Sequence, residues 1–169
     1  MHKHWLEPNW EPGLSIAELP INHFLELGIK GLVLDVDKTL LPGRDLDLPH
    51  SVKTWVIQAK EQLHLHLCSN NPSSKRIGSV AKELGIAYTC KAAKPRKRAL
   101  LKVLNDLKID PKKIAIIGDR IFTDILAGNR LGLYTVLVRP ISHDGSSTRK
   151  YRVQKFEQKL AKFLGAYSK

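Results

Sequence analysis

Apolar residues along this chain fall into two kinds of pattern. Short uninterrupted or alternating runs at residues 31–34, 63–68, 86–90, 114–117 and 134–138 have the length and aliphatic character of strands. The runs at 31–34 and 114–117 hold no polar residue, which predicts strands buried on both faces of a parallel sheet. Between the runs, apolar residues recur at helical spacing. Over 50–62, Val52, Trp55, Val56 and Ala59 share one face, while 73–84 is stopped by Gly85 and 123–131 by Gly132. Lys94-Pro95 opens a further helix, reaching about residue 107, with proline at its favoured first position. Strands and helices alternating at this spacing predict an α/β fold, a doubly wound, mainly parallel five-stranded sheet.

The flanks differ from this core of 31–140. Residues 1–30 form a lead-in: an irregular arm with Trp5 and Trp10, then short helices at 15–19 and 22–27. Trp5, Trp10 and Phe24 are expected to pack on the domain. Residues 141–169 form a linker around Ser146-Ser147-Thr148 and a basic stretch. There Val153, Phe156, Leu160, Phe163, Leu164 and Tyr167 recur at helical spacing, with Lys155, Lys159 and Lys162 mostly on the other side. That pattern suits a helix docked on the sheet, or a basic amphipathic helix lying on an anionic membrane.

In a doubly wound sheet, ligands bind beyond the carboxyl ends of the strands, where the strand order reverses. Asp35 and Asp37 follow the first strand, Ser69 and Asn70 the second, Lys94 the third, and Asp119 the fourth, so these residues converge on one rim. Their chemistry suits phosphoryl transfer. Asp35 can attack phosphorus as a carboxylate nucleophile. Asp37 can protonate the leaving alkoxide and then deprotonate the attacking water, provided anionic surroundings hold it partly protonated. Mg²⁺ takes oxygen ligands; Asp35, Asp119 and the main-chain carbonyl of Asp37 are candidates to supply them. Thr39, Ser69 and Asn70 offer neutral groups to phosphate oxygens. Lys94 supplies a point charge to the phosphate and to Asp35. Asp124 could orient a metal-bound water or the lysine. His64 and His66 share a strand face without a third ligand nearby, and are taken as structural.

Composition narrows the partners. The 28 Lys and Arg outnumber the 16 Asp and Glu, a net charge of +12, which calls for an acidic partner: a phosphorylated substrate, an anionic membrane surface or nucleic acid. Cys68 and Cys90 lack metal-site or disulfide-framework spacing and fit a reducing, cytoplasmic setting. No apolar run approaches the roughly 20 residues that a spanning helix needs, and the first residues lack a signal-peptide pattern. Peripheral attachment to a membrane stays compatible with all of this.

Asp35-Val36-Asp37-Lys38-Thr39, Ser69, Lys94, and Gly118-Asp119 with Asp124 together resemble, in order, the four motifs of the haloacid dehalogenase (HAD) superfamily of phosphatases. The resemblance covers about residues 31–140. The intervals that hold cap domains in that superfamily are short here, so the chain is similar to the capless subfamily IIIA. The run Gly118-Asp119-Arg120-Ile121-Phe122-Thr123-Asp124 and the Ser69-Asn70-Asn71 turn look like the YqeG type, a branch similar to phosphatidylglycerophosphate phosphatases. The resemblance implies removal of the terminal phosphate of phosphatidylglycerophosphate, a phospholipid at an anionic surface. A phosphoprotein, a nucleic-acid 3′-phosphate or a soluble ester would suit the same chemistry, and a non-catalytic binding module would suit the same fold. Lys38 departs from the small or neutral residue frequent at its position, which leaves substrate preference open.

Overall fold

The computed structural model describes residues 4–43, 47–148 and 151–167. Five strands, β1 (Gly31–Leu34), β2 (His64–Cys68), β3 (Ala87–Thr89), β4 (Ile114–Gly118) and β5 (Tyr134–Leu137), form one parallel sheet in the order β3-β2-β1-β4-β5. The helices are α1 (Ile21–Glu26), α2 (His50–Lys60), α3 (Ser74–Leu84), α4 (Lys97–Leu107), α5 (Leu126–Asn129) and α6 (Arg152–Phe163). This is the doubly wound α/β fold expected from the sequence.

Alternation along the strands builds three layers. Leu32, Leu34, Ala115 and Ile117 face the α2 and α3 layer with Val52, Val56, Ile77 and Val80. Val33, Ile114 and Ile116 face the other way, against Leu100, Val103 and Ala127. β1 and β4 are buried along their whole length, which is why they carry no polar residue. From β1 the chain winds outward to β2 and β3, then returns to β4 on the other side. The reversal between β1 and β4 opens a crevice at their carboxyl ends.

The lead-in covers the outer edge of β5. The Asn9 and Trp10 N–H groups donate to the Thr135 carbonyl at 2.9 and 3.1 Å, and the Leu137 N–H donates to the Trp10 carbonyl at 2.9 Å. An edge strand paired in this way is closed to other chains. Trp10 stacks on His23, and Phe24 is fully buried. Trp5 is 63% exposed and does not pack as expected.

Two helix starts also differ from expectation. α4 begins at Lys97, after a turn, because both backbone groups of Lys94 are bonded to the Asn70 side chain and are withheld from a helix. The expected helix at 123–131 is a π-helical turn, Ile121–Ile125, running into the single turn of α5. The loop expected over 41–49 and the stretch after 148 lie partly outside the described residues. His66 accepts or donates one hydrogen bond with Thr89 at 3.0 Å, and His64 is exposed, consistent with structural roles.

Candidate active site

The crevice holds a cavity of about 160 Å³ lined by Asp35, Asp37, Ser69, Asn70, Lys94, Asp119 and Asp124. These are all the residues expected from the sequence except Thr39. Asp35 leaves the sheet at the end of β1, where its N–H still donates to the Ile117 carbonyl of β4 at 2.9 Å. That last ladder bond fixes its carboxylate over the reversal point.

Lys94 is the centre of the charge arrangement. Its ammonium, 1% exposed, lies 2.8 Å from Asp35 Oδ1 and 2.7 Å from Asp124 Oδ1, and donates to the Cys68 carbonyl at 2.6 Å. Burial alone would lower the lysine pKa; the Asp124 and Asp35 carboxylates overcome it, so the net direction is upward. Asp35 moves to about 7, chiefly because burial disfavours its charged form, with Lys94 opposing. Asp119 is raised well above the ordinary carboxylate range, again by burial first and then by Asp35 and Asp124. Burial likewise pushes the Cys68 thiol up to about 11, which makes it an inert core residue.

Two buried carboxylates, Asp35 and Asp124, therefore share one ammonium, and a third, Asp119, lies beside them. One oxygen from each of Asp35, Asp119 and Asp124 can be chosen so that all lie within 4.8 Å of one another. Asp124 Oδ1 is buried and has an ion pair with Lys94 but no well-formed hydrogen bond among the described residues. Three buried carboxylates clustered in this way fit a hard divalent cation such as Mg²⁺. Asp124 thus joins the cluster, whereas the Asp37 side chain does not.

Asp37 is placed differently from expectation. Arg76 on α3 approaches its Oδ1 through Nε at 3.1 Å and Nη2 at 3.0 Å, and Asn71 donates to its Oδ2 at 2.9 Å. The surroundings of this carboxylate are cationic and hydrogen-bond donating, not anionic. Ser69 is buried, with its hydroxyl accepting from the Asn71 N–H at 3.1 Å and 3.5 Å from Asp37 Oδ2. Thr39 is fully buried, and its hydroxyl lies 3.5 Å from Asp35 Oδ2, outside the cavity lining. The Asn70 amide is engaged with the Lys94 backbone, so in this arrangement it positions the lysine. Lys38, exposed at φ 65°, lines the cavity mouth.

Sequence reasoning missed four residues that hold the site. Arg76 and Asn71 fix Asp37, as above. Gln154 of α6 donates to the carbonyls of Asp119 at 2.8 Å and Val138 at 2.7 Å. Glu157 accepts from Arg120 Nε at 2.7 Å and from the Ile121 N–H at 2.8 Å. α6 thereby braces the loop that carries Asp119. Gly118 is equally specific: a Cβ there would overlap the Asp124 carboxylate.

The "Probable phosphatase YqeG" of Bacillus subtilis (strain 168) is 33% identical over 126 residues, which cover 73% of this chain and 73% of that protein. The chain belongs to the HAD-like phosphatase family. A HAD-hydrolase-like family model matches residues 91–159. The mitochondrial phosphatidylglycerophosphatase GEP4 of Saccharomyces cerevisiae (strain ATCC 204508 / S288c) is 46% identical over 56 residues, 33% of this chain and 28% of that protein. Among solved structures, a Legionella pneumophila protein assigned to HAD subfamily III A superposes with TM-score 0.54, 17% identity and coverage of 84% and 88%. A HAD-like phosphatase of Mesorhizobium loti gives 0.53, 16%, 83% and 90%. At those identities the superpositions speak for the fold. A HAD-like fold with Asp35 at the end of β1 is consistent with a phosphatase.

Proposed function

We propose that this HAD-like phosphatase hydrolyses a phosphate monoester through an aspartyl-phosphate on Asp35, with Mg²⁺ held by Asp35, Asp119 and Asp124, and that its substrate is phosphatidylglycerophosphate. The observation that carries the chemistry is the cluster of Asp35, Asp119 and Asp124, two of which, Asp35 and Asp124, are held by the Lys94 ammonium. A bound Mg²⁺ would neutralise charge on the phosphate as the bond to phosphorus changes.

The remaining roles belong to the chain's own side chains. Lys94 holds Asp35 in place and offers the phosphate a positive charge. The Asp35 carboxylate attacks phosphorus, the bond to the substrate's alkoxide breaks, and the alkoxide takes a proton from Asp37. Water then attacks the phosphorus of the aspartyl-phosphate while Asp37 accepts its proton, releasing inorganic phosphate and free Asp35. Arg76 and Asn71 favour the ionised carboxylate, so Asp37 must leave them for the anionic phosphate both to hold the proton it donates and to reach the reacting oxygen. Its side chain is 34% exposed, which leaves it room to turn.

The lipid reading is supported by the segment shared with the yeast phosphatidylglycerophosphatase and by the net charge of +12. The basic run Lys91, Lys94, Arg96, Lys97 and Arg98 would suit nucleic acid, but Lys94 is buried inside the site and not available to such a surface. The test is phosphate release from phosphatidylglycerophosphate in mixed micelles, with Mg²⁺ and then with EDTA, beside a panel of soluble esters. Metal-dependent release from the lipid, lost in Asp35→Asn, is expected. Release from the soluble panel alone would withdraw the lipid substrate, and turnover in Asp35→Asn would overturn the mechanism.

A further inference from the structure

α6 has three differently built sides. The inner side buries Gln154, Glu157 and Ala161 against the Asp119 loop and β5. A second side carries Val153, Phe156, Leu160, Phe163 and Leu164, all exposed; Phe156 is 65% and Phe163 86% exposed. The third carries Arg152, Lys155, Lys159 and Lys162, also exposed. The one acid of the helix, Glu157, is turned inward and paired with Arg120. The sequence pattern suited either an apolar stripe docked on the sheet or a basic amphipathic helix on an anionic membrane. In the fold, polar residues dock because they bond to loop backbone, and the apolar stripe is left facing out.

Monomeric soluble proteins rarely leave a contiguous apolar stripe of this size uncovered. Beside it lies a row of cations; α6 itself presents no exposed acid, and the exposed Glu11 meets the helix at Gln158, not at the apolar stripe. Apolar and basic strips side by side on one helix match the interface of an anionic bilayer, apolar groups entering the acyl boundary and cations meeting phosphate headgroups. A second copy is a poorer occupant, because pairing two such faces would bring like charges together. A groove of about 640 Å³ joins this helix to the active site. It shares Lys38 and Asp119 with the catalytic cavity and ends at Arg152 and Val153, at the start of α6.

We propose that α6 is an interfacial helix that seats the enzyme on an anionic lipid surface and orients the catalytic mouth towards lipid headgroups. Because Gln154 and Glu157 tie α6 to the Asp119 loop, docking fixes the orientation of the site along with that of the helix. The proposal deepens the phospholipid reading of the site and rests on it for its purpose.

The test is flotation of the full chain with vesicles of phosphatidylcholine alone and of phosphatidylcholine with phosphatidylglycerol. Binding to the anionic vesicles, weakened by high salt, with no binding to neutral ones, is expected. The double variant Phe156→Ser/Phe163→Ser should bind at least about tenfold more weakly, from the apolar area it removes from the interface. Both positions are exposed, and circular dichroism confirms that the variant is folded. Wild-type protein that stays with neither vesicle overturns the proposal, as does a double variant that floats like wild type. Concentration-dependent dimerisation without lipid, abolished in the double variant, would overturn it by assigning the stripe to a second copy. The two readings fail separately. Lipid hydrolysis in micelles without vesicle flotation removes the docking helix and keeps the substrate. Flotation with hydrolysis of soluble esters alone keeps the docking helix and removes the phosphatidylglycerophosphate substrate.

Discussion

Asn70 and Lys94 hold each other through a pair of hydrogen bonds: the Lys94 N–H donates to Asn70 Oδ1 at 2.7 Å, and Asn70 Nδ2 donates to the Lys94 carbonyl at 2.9 Å. An asparagine after β2 therefore sets the backbone from which the lysine reaches under the Asp35 and Asp124 carboxylates. Asn70→Ala removes both bonds and is expected to cost about 1–3 kcal/mol of stability. Because the lysine is displaced and not lost, turnover should fall by about ten- to a hundredfold with little change in KM. Steady-state kinetics on a soluble ester decide the point. A change confined to KM would return Asn70 to the phosphate-binding role expected from its sequence position.

Lys94→Met leaves Asp35 and Asp124 without their shared cation in a buried setting, next to Asp119. Breaking a buried ion pair from one side costs about 3–5 kcal/mol, so the metal-free variant should unfold at much lower urea than wild type. Added Mg²⁺ should restore part of the loss, since the three carboxylates remain. Urea titrations with and without Mg²⁺ measure both effects, and a variant as stable as wild type would show that Lys94 does not compensate the buried carboxylates.

Gly118→Ala tests the packing beneath Asp124. The added methyl would overlap that carboxylate, so Asp124 must move away from Lys94 and from the Arg120 N–H that it accepts at 3.2 Å. Activity should fall by more than tenfold while far-ultraviolet circular dichroism stays native. Activity within twofold of wild type would mean that Asp124 has no positional role.

Most of this fold was legible because its signals are local. The uninterrupted runs of β1 and β4 and the glycines after α3 and α5 announce a wound sheet, and carboxylates at the strand ends announce its crevice. What escaped depends on partners distant in the chain. Arg76 looks like any solvated helix cation until α3 is set beside Asp37. Gln154 and Glu157 look like the polar face of a surface helix until the free backbone groups of the Asp119 loop appear beneath them. Hydrophobic periodicity cannot find a helix that docks through polar residues, which is why the pattern of α6 left two arrangements open and could not choose between them. The start of α4 was misplaced for the same reason, through the claim of Asn70 on the Lys94 backbone.

The raised carboxylate pKa values give a pH-dependent response to metal. In the metal-free protein Asp35 titrates near 7 and Asp119 well above its ordinary range, so the folded state holds protons that the unfolded chain releases near pH 4. The stability linked to the Asp35 proton is complete below about pH 4 and is lost as pH rises through about 7; that linked to the Asp119 proton is likewise lost only above its ordinary range. Mg²⁺ binds the ionised carboxylates and competes with those protons. The rise in Tm on adding Mg²⁺ should therefore be larger at pH 8 than at pH 5.5. Scanning calorimetry at both values tests this, and an equal or smaller rise at pH 8 would place the metal elsewhere.

Glu157 provides the sharpest separation of brace from scaffold. Its carboxylate, 4% exposed, accepts from Arg120 and from the Ile121 N–H, two residues beyond Asp119. Glu157→Gln keeps the shape and one acceptor but loses the charge-assisted pairing, which should loosen the Asp119 loop. Residues that orient metal ligands typically change metal affinity by about 10–100-fold when altered. A rise of about tenfold in the Mg²⁺ concentration needed for half-maximal activity is expected, with turnover at saturating Mg²⁺ largely recovered. Arg120→Ala is the control, since it leaves the Glu157 bond to the Ile121 N–H in place and should raise that concentration less. A merely structural role would instead lower the melting temperature in Glu157→Gln without moving the Mg²⁺ dependence.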